Sequence, residues 1–551
     1  MTPEAVSAAV LDAVRATFAA HGLDTSALPE TTTVERPRNR DHGDYATTIA
    51  LQLAKKLGAK PRDLATWIGE QLAQAAGIAS AEVAGPGFLN IRLEAAAAGE
   101  LARTIVAAGA AYGRGELLKG SRINLEFVSA NPTGPVHLGH TRWAAVGDVL
   151  ARVFEAAGAE VAREFYINDR GNQLQNFALS LVAGALGEPV PENGYKGEYV
   201  TDLANAIVKD RPDIMALPED ERLTAFREEG YQRQLDEQKA VLAEFRTNFD
   251  VWFSERSLHS SGAIDEAMAK LRGQGHVYEK EGAVWMRTSD FGDDKDRPLI
   301  KSDGEYTYFG SDAAYYVNKR SRGFDRCLYL LGADHHGYIN RIKAIASCAG
   351  DNPDESVDVL IGQLVKVIQN GAEMKLSKRA GTIITLRDVI DLVGVDAARY
   401  QLTRFSTDSS MVLDVDLLTK KTNDNPVFYV QYAYARISSV LRNAADLGVD
   451  RGELDPSLLS EEKTNALLGA LAEYPAVIAT AAELREPHRI ARYLESLAGL
   501  YHRFYDSHRV LPQGDEEATD TNRARLWLCE ATRTVLANGL GLLGVTAPER
   551  M

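Results

Sequence analysis

The spacing of apolar and polar positions divides the chain into three stretches. Residues 1 to about 115 alternate Ala-rich amphipathic helices with short strands. Glu-Arg-Pro-Arg-Asn-Arg-Asp-His-Gly-Asp-Tyr (35–45) and Ala-Gly-Pro-Gly-Phe-Leu-Asn-Ile-Arg-Leu (84–93) read there as turns feeding strands. From about 116 to 395, apolar strands alternate with helices, which predicts a parallel sheet with right-handed crossovers. A long, charged, largely helical stretch at about 170–295 interrupts that alternation and reads as an insertion. From about 396 to 551 the pattern is almost wholly helical, and Asn425-Pro-Val-Phe-Tyr-Val-Gln-Tyr-Ala-Tyr-Ala-Arg436 opens a bundle. The expected fold is therefore α/β, with a small α/β appendage before the central domain and a helical bundle after it.

The most informative stretch runs from Asn124 to Asp148. Five residues form an apolar strand, Asn-Pro-Thr-Gly-Pro breaks it, and a helix is predicted over 136–154. Unpaired N–H groups at a helix N-terminus carry partial positive charge, so a polyphosphate can settle there without a bulky cation. His137 and His140 stand at i and i+3, on one face of that mouth, and Gly139 between them would let a nucleotide approach the backbone. Alone, such a four-residue pattern is weak, and an ordinary helix start is the more common reading.

Two later segments strengthen the nucleotide reading. The apolar strand at Cys327-Leu-Tyr-Leu-Leu runs into Gly332-Ala-Asp-His-His-Gly-Tyr338, and the carboxyl end of such a strand is where an open α/β sheet places ligands. Asp334, His335 and His336 are not read as metal ligands, because adjacent strand histidines project to opposite faces and no further His or Cys lies nearby. The second segment is Met374-Lys-Leu-Ser-Lys-Arg-Ala-Gly-Thr382, a loop whose lysines could swing onto a polyphosphate.

His137-Leu-Gly-His140 resembles the HIGH signature of class I aminoacyl-tRNA synthetases, with Leu in place of Ile. The longer run Glu126-Phe-Val-Ser-Ala-Asn-Pro-Thr-Gly-Pro-Val-His-Leu-Gly-His140 resembles the arginyl-tRNA synthetases in particular. Lys375-Leu-Ser-Lys-Arg379, about 240 residues further on, resembles the class I KMSKS loop, departing at Leu376 and Arg379. Some members of the family carry a lysine just before the first histidine instead; Gly134 stands there, so this chain is similar to the variant that relies on Lys378.

The resemblance spans nearly the whole chain, and each of its implications is an expectation. It implies a tRNA-elbow-binding domain at 1–115, a Rossmann-like class I catalytic domain at 116–395, and an anticodon-binding bundle at 396–551. Tyr434 stands where His is common in the bundle, and the closing Gly-Val-Thr-Ala-Pro-Glu-Arg-Met551 is expected to pack rather than fray. His137, His140 and Lys378 would be catalytic. Pro132, Gly139, His140, Gly332, Asp334, His335, Lys375, Ser377 and Lys378 would line the ATP site, with Mg²⁺ arriving on ATP and no dedicated protein cage. L-Arginine would be held by Asn131 and Glu126 at its backbone, and by Tyr308, Asp312 and Glu255 at its guanidinium, which needs a carboxylate fork when buried. For Glu255 an ordinary surface helix charge is an equal alternative. Phe88 would stack on a base of the tRNA elbow and Asn90 would hydrogen-bond it, the alternative for Phe88 being a core residue.

Composition narrows the alternatives. The chain has 551 residues, 45% hydrophobic and 25% charged, ordinary for a soluble multidomain protein. Met1 to Ala20 lacks a signal-peptide pattern, no long uncharged apolar run is evident, and the expected location is the cytoplasm, without membrane contact. Three dispersed cysteines exclude a disulfide framework or zinc ribbon. A net charge of -16 argues against indiscriminate nucleic-acid binding while leaving a selective partner such as tRNA(Arg). A small-molecule nucleotidyltransferase would have no use for the bundle, and a silent RNA-binding paralogue would have lost His137, His140 or Lys378. A monomer is expected, by resemblance.

Overall fold

Five short strands lie parallel in the spatial order Val357–Gly362, Arg326–Gly332, Arg122–Glu126, Glu160–Ile167, Val251–Ser254. The chain leaves Arg122–Glu126 in one direction for the second and third strands, then returns to its other side for the fourth and fifth. That reversal opens a crevice beyond the carboxyl end of Arg122–Glu126, where an open α/β sheet receives ligands. The computed structural model describes residues 1–37, 39–333, 337–374 and 383–551, the side chain of Arg40 excepted.

The stretch at about 170–295 divides in two. Helices Asn172–Leu186, Glu198–Asp210 and Glu219–Glu244 form one unit, after which Val251–Ser254 rejoins the sheet as its edge strand. A second unit follows: helices Glu255–Ser260 and Ala263–Gly273, then an antiparallel sheet of Val277–Lys280, Ala283–Met286 and Arg297–Ile300. Four half-buried residues paired on one side only are too short for an alternation signal, so sequence periodicity does not reveal the return to the sheet.

The helix after the first strand spans Leu138–Ala156, two residues later than predicted, and is buried nearly all round. One side faces the sheet and the other faces the bundle, so it presents no solvent stripe. Gly147 lets the residue after the first strand seat against it: a Cβ there would lie 2.3 Å from the Phe127 ring. Two buried arginines lock the surroundings. Arg142 donates to the carbonyls of Ser406 (2.7 Å) and Ser409 (2.8 Å), and burial pushes its pKa down to about 10, which leaves it charged. Arg399 pairs with Asp148 at 2.5 Å and donates to the carbonyls of Leu543 (3.0 Å) and Phe245 (2.9 Å), joining this helix to the chain's end. Removing one partner of such a buried pair typically costs roughly 3–5 kcal/mol, because the other charge is left uncompensated.

At the amino end, helices Pro3–His21, Ile49–Leu57 and Pro61–Leu72 pack on an antiparallel sheet ordered Tyr45–Thr47, Phe88–Leu93, Ile78–Ala84. Strand alternation sends Leu89 and Ile91 into that core and leaves Phe88 39% exposed on the other face, with Asn90 half-buried beside it. Phe88 is therefore not a core residue. Helix Ala95–Ala108 leads to the carboxyl-terminal bundle, where Tyr112 Oη donates to Leu471 O (2.8 Å). That bundle consists of Pro426–Asp446, Glu462–Leu484, His488–Ser507 and Asp520–Leu542. Among the described residues, Glu462–Leu484 alone is long and apolar enough to cross a membrane; half of its apolar window is buried among the other helices. The closing residues pack, as expected: Thr546 bonds to Asp396 and Gln431, and Arg442 donates to Glu549 O at 3.1 Å.

Candidate active site

The first strand ends at Glu126 in a strained turn. Val128 (φ 67°) and Ser129 (φ 40°) both take left-handed backbone conformations, which for a β-branched valine costs on the order of 1–3 kcal/mol. The strain is held by specific bonds: Ser129 Oγ donates to Glu126 Oε1 (3.3 Å) and accepts from the Tyr166 N–H (3.1 Å). The chain is thereby turned across the crevice, with Pro132 buried behind the turn and Asn131 exposed at its front.

His137 caps the helix. Its Nδ1 accepts from the Gly139 N–H at 3.1 Å, which assigns the proton to Nε2. Burial lowers the pKa of this imidazole, so it is neutral at pH 7 and offers one N–H. The His140 ring lies 4.2 Å away, centroid to centroid, and a Cβ at Gly139 would crowd His137 at 3.0 Å. Both histidines and Asn131 line a cavity of about 300 Å³.

The second half of the chain closes on this turn through its backbone. The Leu138 N–H donates to Ile384 O, and the Leu386 N–H to Val136 O, both at 2.7 Å. Thr385 caps the next helix, Leu386–Val393, in a reciprocal box with Asp388. Ile383 and Thr385, which follow the predicted lysine loop, thus line the same cavity. Lys375, Ser377 and Lys378 lie outside the described residues, as do Asp334 and His335. Gly332 ends the fourth strand beside Gly362.

The predicted arginine-binding carboxylates come together behind the turn. Asp312 lies in helix Tyr308–Ser321, hydrogen-bonded by Tyr338, and its pKa is pushed up to about 7 by burial, with Glu126 and Glu255 adding like charge. Glu255 is 5% exposed, which removes the surface-charge alternative. Tyr166 and Ser311 bond to it, and burial raises its pKa. Tyr308 stands one turn before Asp312 and is 70% exposed, its hydroxyl beside Gly171.

Sequence reasoning missed the scaffold of this pocket. Lys319, fully buried, pairs with Glu126 at 2.5 Å and sits over the rings of Tyr315 (4.4 Å) and Tyr329 (4.1 Å). Glu164, also fully buried, accepts from Arg322 (2.6 and 2.9 Å), Asn124 (2.8 Å) and Tyr315. Helical spacing could have flagged Lys319, which lies seven residues after Asp312 on the same face. The first insertion unit is pinned to the turn as well. Gln238 Nε2 donates to Asn131 O (2.9 Å) and Gly134 O (2.7 Å), and Tyr199 Oη donates to Thr133 O (3.0 Å).

A switch-point crevice whose histidine-capped helix is stitched to the segment following a lysine loop places the chain among the class I aminoacyl-tRNA synthetases. The family description "tRNA synthetases class I (R), catalytic domain" matches residues 104–435, "Arginyl tRNA synthetase N terminal domain" matches 4–93, and "DALR anticodon binding domain" matches 430–551. The chain belongs to the arginyl-tRNA synthetase family. An arginine–tRNA ligase of Kineococcus radiotolerans is 58% identical over 554 residues, and one of Frankia alni 57% over 553, all of both chains covered in each case. In fold, the chain is similar along its full length to solved arginyl-tRNA synthetases of Thermus thermophilus (TM-score 0.77, 23% identity) and Plasmodium falciparum (TM-score 0.72, 15% identity), which are likewise covered in full.

Proposed function

We propose that the chain performs its family's ATP-dependent ligation of arginine to tRNA through the residues assembled at this crevice. The observation that carries the reading is the cluster of Asp312, Glu126 and Glu255, in which the raised pKa values of Asp312 and Glu255 mark carboxyl groups that a bound cation would stabilise, behind the strained turn that carries the two histidines. Arginine enters with its guanidinium toward Asp312, Glu255 and Tyr308, and its backbone toward Glu126 and Asn131. Glu126 has used one lone pair on each oxygen, for Lys319 and Ser129, and keeps others for an ammonium group.

The arginine carboxylate oxygen attacks the α-phosphorus of ATP, and the bond to the bridging oxygen breaks to release pyrophosphate. A ribose hydroxyl of the terminal tRNA nucleotide then attacks the acyl carbon and expels AMP. No enzyme nucleophile takes part, so rate enhancement is alignment and charge stabilisation. His137 and His140 donate to phosphate oxygens, and Lys378 follows the charge onto the departing pyrophosphate. The described walls of the histidine cavity offer Mg²⁺ no carboxylate, and in this reading the ion is held by the triphosphate.

Phe88 and Asn90 meet the tRNA elbow and the helical bundle meets the anticodon, with the chain acting as a cytoplasmic monomer. Pyrophosphate exchange with each amino acid, with and without tRNA, is the test. Exchange with arginine only, and only when tRNA is present, is the expected result; efficient exchange with lysine or glutamate would overturn the reading.

A further inference from the structure

We infer that Lys196, on the loop between helices Asn172–Leu186 and Glu198–Asp210, contacts a phosphate of the polyanion bound in the histidine cavity. The inference rests on the proposed function and adds to it a residue from outside the signature segments. Lys196 lines the cavity together with His137, His140 and Asn131, and among the described lining residues it alone carries a fixed charge. His137 cannot supply that charge at neutral pH, because burial holds it in its neutral form.

Lys196 is exposed, and among the described residues no carboxylate pairs with it. Lys196 lines a cavity whose described walls hold no acid, so an anionic ligand there would meet its ammonium without competition from a wall carboxylate. The backbone that carries it is fixed on both sides. The Tyr195 N–H donates to Ser180 Oγ (2.8 Å), which is itself tied to Asn176 O (2.7 Å), and the Tyr195 ring meets Phe177 edge-on at 5.5 Å. Three residues later, Tyr199 Oη is bonded to Thr133 O within the signature turn. The ammonium therefore hangs from a short anchored loop that moves with the turn, which limits the entropy lost when it engages a ligand.

The phosphate has two sources, the triphosphate of ATP, which enters for adenylate formation, and the single-stranded 3′ end of the tRNA, which enters for acyl transfer. Direct binding separates them. Dissociation constants would be measured for ATP, for a tRNA(Arg) transcript, and for the same transcript without its 3′-terminal single strand, using the wild-type chain, Lys196→Ala and Lys196→Arg.

The expected result is about a tenfold loss with Lys196→Ala in one arm, recovered to within about twofold by Lys196→Arg. A loss confined to ATP assigns the triphosphate, and a loss confined to the full-length transcript assigns the RNA end. For the RNA, the salt dependence of log K should also flatten by about 0.7, one single-strand phosphate contact. Affinities unchanged in every arm would overturn the proposal, as would equal losses for full-length and truncated RNA with ATP unaffected. These binding measurements do not depend on which amino acid is activated, so a wild-type chain that failed to charge arginine would refute the proposed function and leave this inference to be decided separately.

Discussion

Asp312→Asn separates recognition from folding, because the pocket's carboxylate opposes the fold until a cation arrives. The side chain's pKa is raised from 3.8 to about 7 by burial and by the neighbouring Glu126 and Glu255. A shift of that size corresponds to roughly 4 kcal/mol of unfavourable ionisation. The sign follows from proton counting. Between pH 3.8 and about 7 the folded chain holds a proton that the unfolded chain has lost, so stability from this site falls as pH rises through that window and stays low above it. Asparagine keeps the shape and cannot ionise. Asp312→Asn should therefore be more stable than wild type at pH 8 by up to roughly 4 kcal/mol, with the difference vanishing near pH 4.

The same substitution leaves a bound guanidinium underpaired, at a cost of roughly 2–4 kcal/mol in arginine affinity, while ATP affinity hardly moves. Thermal scans at pH 8 and pH 5, with and without saturating arginine, read both effects at once. Wild type should gain melting temperature from arginine at pH 8 and the variant should not. Equal destabilisation of the variant at both pH values, or an ATP defect as large as the arginine defect, would refute the reasoning.

The wild-type site should also titrate: in the proposed function arginine binds the ionised form of Asp312, so its dissociation constant at pH 6 should be about tenfold higher than at pH 8, by calorimetry. Lys378→Ala should slow adenylate formation a hundredfold or more, on the order of 3 kcal/mol, with arginine binding little changed; near-normal single-turnover rates would remove it from the catalytic set. Phe88→Ala should raise the Michaelis constant for tRNA about tenfold with melting temperature almost unmoved, since the ring is 39% exposed; a lowered melting temperature with unchanged tRNA affinity would argue against the elbow. Lys319→Met should destabilise the chain by roughly 3–5 kcal/mol, and adding Glu126→Gln should recover much of that loss; additive losses in the double variant would show that the pair is not coupled.

What sequence made legible was whatever is local. The strand, turn and helix around His137 follow from a run of residues whose propensities agree, whereas the alternation Phe88, Leu89, Asn90, Ile91 separates two faces without saying which is buried, since both carry apolar side chains. The carboxylates at 126, 255 and 312 could be named only through family resemblance, because their meeting depends on three separate crossovers. The return of Val251–Ser254 to the sheet was hidden by its brevity. The pairing of Leu138 with Ile384 and of Leu386 with Val136 is carried by main-chain atoms, which any residue supplies, and so leaves no mark in the side-chain pattern.

Charge balance supports placing a guanidinium at these carboxyl groups, as the proposed function does. Glu126 is held at 2.5 Å by Lys319, and Glu164 is saturated by Arg322, Asn124 and Tyr315, so neither acid behind the pocket lacks a partner. Asp312 and Glu255 are different. Their partners are mainly hydroxyls, from Tyr338, Tyr166 and Ser311, and both carboxyl groups have raised pKa values. A ligand that supplies one positive charge spread over several planar donors can draw both acids back to their ionised forms. The compact ammonium of lysine concentrates its charge at one point and cannot serve two carboxylates with paired, coplanar bonds. In the proposed function, selectivity thus rests on acids bonded mainly to hydroxyls, to which Arg341 and Arg170 add only Coulombic attraction, and the stability these acids withhold is returned when arginine binds.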